Sequence, residues 1–292
     1  MLKKIAVGLF LVIAPLKNAQ ALDLARENSI WDLATGKQID AKALIDVLAN
    51  SGTILLGENH GTASHQNREA FLIGALAARE IYPTLALEML DTDRGEIINN
   101  FRSQSPEETA GLATSLSWAA SGWPDYSFYK PVFDIAFAAK LPIIGADMDE
   151  NQKILVRDLP ISGLDREELV SSWANTMKEA HCDLIEPNEL GKITRLQIAR
   201  DKFMAQRLNH YTPTILVAGS EHVRKDRGIP KLLREKGRTS VSIAFVSAKI
   251  SKDQIQEKSK KIGIDQFDYV WVTELSSELG TCERLQKKGL IK

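Results

Sequence analysis

In 292 residues with 37 basic and 38 acidic side chains the charges nearly cancel, which excludes a general nucleic-acid binder, since such proteins are normally basic. A 44% hydrophobic content supports a core large enough to need no staples. After the N-terminal region no apolar run approaches the roughly 20 residues that a membrane-spanning helix takes.

The chain opens with Lys3 and Lys4, the uncharged run Ile5 to Leu16, and then Ala19-Gln20-Ala21. That order of basic, apolar and small-residue segments predicts an export signal cut after Ala21. The expected mature chain is then 22–292, one domain in the periplasm or secreted. No cysteine lies near Ala21 to accept a lipid. Loss of Lys3, Lys4 and Lys17 leaves 34 basic against 38 acidic residues, a net charge of about −4 that favours small-molecule or protein partners. Cys182 and Cys282 both survive cleavage, and in an oxidising compartment an isolated pair is expected to be bridged.

Five short apolar runs read as strands: Thr53 to Leu56, Thr84 to Leu87, Pro142 to Ile144, Thr214 to Ala218 and Val241 to Val246. A sixth is expected at Asp268 to Thr273. Continuous apolarity suits a sheet buried on both faces. Helical stretches at Ser64 to Glu80, Tyr129 to Lys140 and Thr194 to His210 alternate with these runs, which predicts an α/β fold with a mainly parallel central sheet flanked by helices. Residues 91–116 and 165–207 lack strand-like runs, and the stretch near 160–210 reads as a helical insert.

Parallel sheets gather chemistry beyond the C-terminal ends of their strands. The first strand runs into Gly57-Glu58-Asn59-His60, the second ends in Glu88, the third in Gly145-Ala146-Asp147, and the fourth in Gly219-Ser220-Glu221-His222. A single Asp after a strand is usually a turn cap, and Asp147 is read so. The repeat of Gly-x-x-His raises Glu58, His60, Glu88 and His222 above that reading. Such a set can hold a divalent metal, act as acid and base in a hydrolase, or grip a polar ligand; spacing alone does not choose. The histidines, a nearby cation such as Arg224, or a metal must offset the carboxylates. His65 stands as an even choice between site and scaffold, and His210 reads as solvated. Between Trp118 and Tyr129 lie five aromatics in twelve positions. They form either an apolar cluster under a loop or a wall for a flat ligand, with Tyr126 or Tyr129 offering a phenol to iron.

With these residues in place, the sequence resembles the ChaN-like haem-binding proteins, within the wider superfamily of Tiki-type metalloproteases and erythromycin esterases. The resemblance rests on Leu55 to His60 with His65, Ala86-Leu87-Glu88-Met89, Tyr126 to Pro131, His181-Cys182, Gln197 to Ala205, Ala218 to Arg224 with Gly228-Ile229-Pro230, and Asp268 to Trp271 with Cys282. It implies an α/β core with a helical insert, haem as cofactor in iron uptake, and a homodimer contact at which two haems stack face to face. The Tiki and esterase branches imply instead a metal-dependent peptidase or an esterase built on the same Glu and His residues.

Overall fold

The computed structural model describes residues 30–106, 108–158, 167–247 and 266–273. The expected leader and Cys282 lie outside the described residues.

Eight strands form one sheet: β1 (Ile30–Asp32), β2 (Lys37–Ile39), β3 (Thr53–Glu58), β4 (Thr84–Asp91), β5 (Ile143–Asp147), β6 (Thr214–Gly219), β7 (Val241–Ser247) and β8 (Tyr269–Thr273). Their order is β2-β1-β8-β7-β3-β6-β4-β5. The six strands from β8 to β5 run parallel, and β1 lies antiparallel to both β8 and β2. The sheet is therefore mixed but mostly parallel. The short edge hairpin of β1 and β2 carries no long apolar run, so the sequence did not announce it.

Strand periodicity divides the core in two. Leu56, Leu87, Val217 and Phe245 point into one cluster, together with Leu72 and Leu76 of α2 (Ala63–Ala77) and Phe133 and Phe137 of α5 (Tyr126–Ala138). Their neighbours Leu55, Ala86, Leu216 and Ala244 point into the other, with Met204 and Leu208 of α8 (Pro187–Leu208) and Leu233 of α9 (Ile229–Glu235). Successive side chains on a strand face opposite ways, so the unbroken apolar runs supply both faces. Completing the helices are α1 (Ala41–Leu48), α3 (Arg94–Gln104), α4 (Leu112–Ser115), α6 (Glu150–Asp158) and α7 (Glu167–Ala180). Between β5 and β6 the described chain is helical, in α6, α7 and α8.

Strand ends differ from the expectation in a way that matters for the site. Glu58 is the last residue of β3, and Glu88 lies within β4, which continues to Asp91 because Asp91 pairs with Asp147 of β5. Asp147 itself closes β5. At this crowded edge Gly145 is required: a Cβ there would stand 1.6 Å from the Asp91 carbonyl oxygen.

Candidate functional site

Parallel register brings the strand exits together. Glu58 of β3 pairs with Gly219 of β6, and Leu87 of β4 with Val217. The alternation that divides the core also divides the carboxylates. Glu58 faces α2 and α5, where its oxygens accept from Tyr129 at 2.8 Å and from Gln66. Glu88 faces α8, where Arg200 approaches it to 2.6 Å. His60 joins the two, with Nδ1 2.6 Å from Glu58 Oε1 and Nε2 3.6 Å from Glu88 Oε2. A side chain at Gly219 would crowd it, because a Cβ would lie 3.0 Å from His60 Nε2.

Around Glu88 the donors converge. Gly219 N–H donates to Oε2 at 2.7 Å, Arg200 meets Oε1, and His222 Nε2 stands 3.3 Å from that same oxygen. The other His222 nitrogen, Nδ1, lies 2.7 Å from Asp201 Oδ1. Arg200 also grips both oxygens of Asp147, at 3.0 and 2.9 Å, and Lys153 adds a contact to Asp147 at 3.0 Å. Glu58, Glu88 and Asp147 are each 1% exposed, whereas the His60 side chain is 29% exposed. His60 is therefore where this buried network meets solvent.

The ionisation pattern follows from that geometry. Burial opposes the charge on Glu88, but His222 and Arg200 outweigh it and hold the carboxyl well below its usual range. Burial likewise opposes protonation of His222, yet Glu88 and Asp201 raise it to about 9. His60 is also raised: burial works against its charge, and the Glu58 hydrogen bond and the Glu88 charge prevail. Behind Glu58, burial and the Glu58 charge push Glu69 well above the ordinary carboxyl range.

The four residues singled out by their Gly-x-x-His repeat and strand ends, Glu58, His60, Glu88 and His222, thus do converge. Among the described residues no group of three His, Cys, Asp or Glu is arranged to hold an ion. A guanidinium supplies the cation instead. It is Arg200 and not Arg224, which pairs with Asp226 at 2.7 Å and Glu221 at 3.3 Å. Arg200 and Asp201 lie in the Gln197 to Ala205 stretch that carries the family resemblance, but the sequence assigns them no site role because they sit in a long helix far from any strand exit. Their one signal is a charged pair between Ile198 and Met204, both buried, on a face that packs inward. Asp147, read as a cap, does bond the Met148 N–H at 2.9 Å, but it also belongs to the ion network.

His65 lies outside this cluster. It is fully buried, its Nδ1 accepts from Asn59 N–H at 3.0 Å, and its Nε2 meets Ser247 Oγ at 3.0 Å. Burial, helped by the Arg68 charge, drives its protonation down to about 3, so it is a neutral ring pinning the turn after β3 to β7.

The two tyrosines, one turn apart on α5, have different surroundings. Tyr129 is 1% exposed and its hydroxyl is committed to Glu58. Tyr126 is half-buried and lines a cavity of about 650 Å³ with Trp118, Trp123, Ala113, Thr114, Ser117, Ala119, Ala120 and Asp125. Its hydroxyl has one long contact, 3.4 Å to the Thr109 carbonyl. Trp118 stands edge-on to Tyr126 at 5.4 Å. Trp123 is shared by both regions: it lies 4.9 Å from His60 and 5.9 Å from Arg200. It also borders a second cavity of about 400 Å³ that reaches Glu88, Asp147 and Lys153.

Over residues 44–233 the chain matches the family described as haem-binding uptake, Tiki superfamily, ChaN. It belongs to that family. In fold this ChaN-family chain is similar to ChaN of Campylobacter jejuni, whose structure is described as showing cofacial haem binding. The two share 24% identity over 82% of this chain and 94% of that one, at a TM-score of 0.70. A mutant of the erythromycin esterase EreC in its open conformation matches 87% of this chain and 99% of its own at 14% identity and a TM-score of 0.47. The type III effector HopBA1 matches 80% of this chain and 92% of its own at 12% identity and 0.41. Similarity at those two scores carries no argument about function. No curated protein matches the chain.

Haem fits the aromatic cavity on its chemistry. A flat apolar macrocycle gains from the Trp118, Trp123 and Tyr126 rings, and the volume lies within the range of small-molecule sites. When bound, haem supplies a ferric iron that takes a phenolate oxygen. Tyr126 can offer one; Tyr129, locked to Glu58, cannot without breaking that bond.

Proposed function

We propose that this protein binds haem in the cavity walled by Trp118, Trp123 and Tyr126, that Tyr126 is the iron ligand, and that it serves haem or iron uptake outside the cytoplasm. The observation that carries the reading is the half-buried Tyr126 lining an aromatic cavity with a hydroxyl that makes one long bond, in a chain of a haem-binding family. Burial raises the Tyr126 phenol above its ordinary range, so it is neutral until a ferric ion displaces its proton. The export signal read in residues 1–21 supports a periplasmic or secreted location. The Cys182–Cys282 bridge follows from that location, and its loop of about a hundred residues stabilises by roughly 4 to 5 kcal/mol in the chain-entropy model.

Haem titration of the purified protein tests the site. A saturable Soret shift at micromolar affinity or tighter, about −8 kcal/mol, is expected. Tyr126→Phe shifts the ferric spectrum and weakens binding; an unchanged spectrum places the iron ligand elsewhere. Intact mass of the exported protein, with and without reduction, tests for a chain beginning at Leu22 and for the bridge. We propose further that two copies bring their haems face to face, which sedimentation with and without haem reads as haem-dependent dimerisation.

The hydrolase alternative draws on the same Glu58, His60, Glu88 and His222. The family favours binding, and the pairing of Glu88 with Arg200 and His222 serves ion pairing without requiring chemistry.

A further inference from the structure

Helix α7 is joined to the protein differently from every helix that lines the sheet. Its Trp173 and Met177 pack with Ile198 of α8 in a small cluster of their own, apart from the two large cores. Among the described residues its links to the strand ends run through the Arg227 cation and the Trp173 ring. Arg227, 4% exposed, donates to Ser172 Oγ at 3.0 Å and to Thr176 Oγ1 at 2.9 Å, both on α7, and binds Glu221 below. The guanidinium also lies 4.3 Å from the centre of a Trp173 ring, and Trp173 in turn stands 5.2 Å from the His222 ring. Trp173 therefore roofs the His222–Asp201 pair.

Two further features mark this seam. Trp173 Nε1, Thr194 Oγ1, Asp201 Oδ2 and Arg227 Nε are all buried there without a partner. Buried polar groups nearly always find one, so these four atoms have hydrogen-bonding capacity that no group among the described residues meets. The turn from α7 to α8 contains two consecutive non-glycine residues in the left-handed region, Cys182 at φ 58° and Asp183 at φ 59°. They cap the end of α7, where Cys182 N–H donates to the Glu179 carbonyl at 3.0 Å and Asp183 N–H to the Lys178 carbonyl at 2.9 Å.

We propose that α7 is a lid over His222, pivoting on the 181–186 turn and latched by Arg227, and that its opening gives small polar solutes access to His222 and Asp201. The sheet and the aromatic cavity keep their own cores when it moves, so the lid operates whether or not haem is the cargo. Opening of one cooperative unit below the global unfolding energy is the ordinary behaviour of a segment with few apolar contacts.

Hydrogen exchange read by mass spectrometry on the full exported chain, with diethyl pyrocarbonate as the access probe, tests this. The double variant Ser172→Ala with Thr176→Val removes the two lid-side hydrogen-bond partners of Arg227 and leaves Trp173 and Glu221 in place. Amides of 167–180 should exchange about tenfold faster, His222 should be modified several-fold faster, and amides of β3 and β6 should keep their rates. Arg227→Lys, which keeps the charge but loses the fork, should move the same peptides in the same direction. Unchanged exchange of 167–180 in both variants overturns the lid. So does wild-type exchange of α7 only in step with β3 and β6, which would make it part of one global unit.

Discussion

The charged network at the strand ends and the aromatic cavity beside it share Trp123, yet they are held by opposite means. In the first, Glu88, Asp147, Asp201, Arg200 and His222 are nearly all buried, and each charge is paired with another. In the second, Trp118, Trp123 and Tyr126 leave open volume, and a key hydroxyl is barely bonded. A network most of whose groups satisfy one another is preorganised and has less left for a ligand, whereas an open apolar wall with one under-bonded oxygen is suited to receive one. Residue type alone suggests the reverse, since clustered Glu and His are the usual mark of a site.

The largest break in that comparison comes from Arg200→Leu. Removing the cation leaves Glu88 and Asp147 buried without their main partner, and breaking a buried pair in this way costs about 3 to 5 kcal/mol. Urea unfolding should show that loss, while haem affinity of the protein that remains folded stays within a few-fold. A loss below about 1 kcal/mol would mean that the network is wetter than it looks.

Next comes pH. His222 has a folded value of about 9 against 6.5 for a free imidazole. A raised value means that its ion pairs stabilise fully below about pH 6.5 and are lost as pH rises through about 9. The linked stability is on the order of 3 kcal/mol. His60, also raised, contributes with the same sign. Unfolding free energies measured from pH 6 to 10 should therefore fall, and His222→Gln should flatten most of that slope. An equal slope in the variant would place the titration elsewhere.

The smallest effects sharpen the contrast between the two tyrosines. Tyr129→Phe deletes a donor to buried Glu58 and should cost about 1 to 2 kcal/mol of stability with little change in the haem spectrum. Tyr126→Phe should do the opposite, with stability within about 0.5 kcal/mol, as expected where no buried bond is lost, and haem binding about tenfold weaker. Exchange of these outcomes between the two positions would put the ligand on Tyr129.

By itself the sequence determined the parallel core and the meeting of Glu58, His60, Glu88 and His222. Apolar runs without alternation force a sheet buried on both faces, and parallel strands release their ends on one edge. It did not show the β1–β2 hairpin, whose three-residue strands carry no periodic signal. Only the tertiary structure decided what the converging residues do. Strand alternation sends Glu58 and Glu88 to opposite faces, and the cation that offsets Glu88 comes from Arg200, 112 positions away on a helix with no local mark of its role. The same holds on α5, where Tyr126 and Tyr129 are alike in sequence and one helical turn apart. Packing alone commits one hydroxyl to a carboxylate and leaves the other with a single long contact on a residue that lines a cavity, because a rotation of three residues on a helix carries a side chain onto a different neighbour.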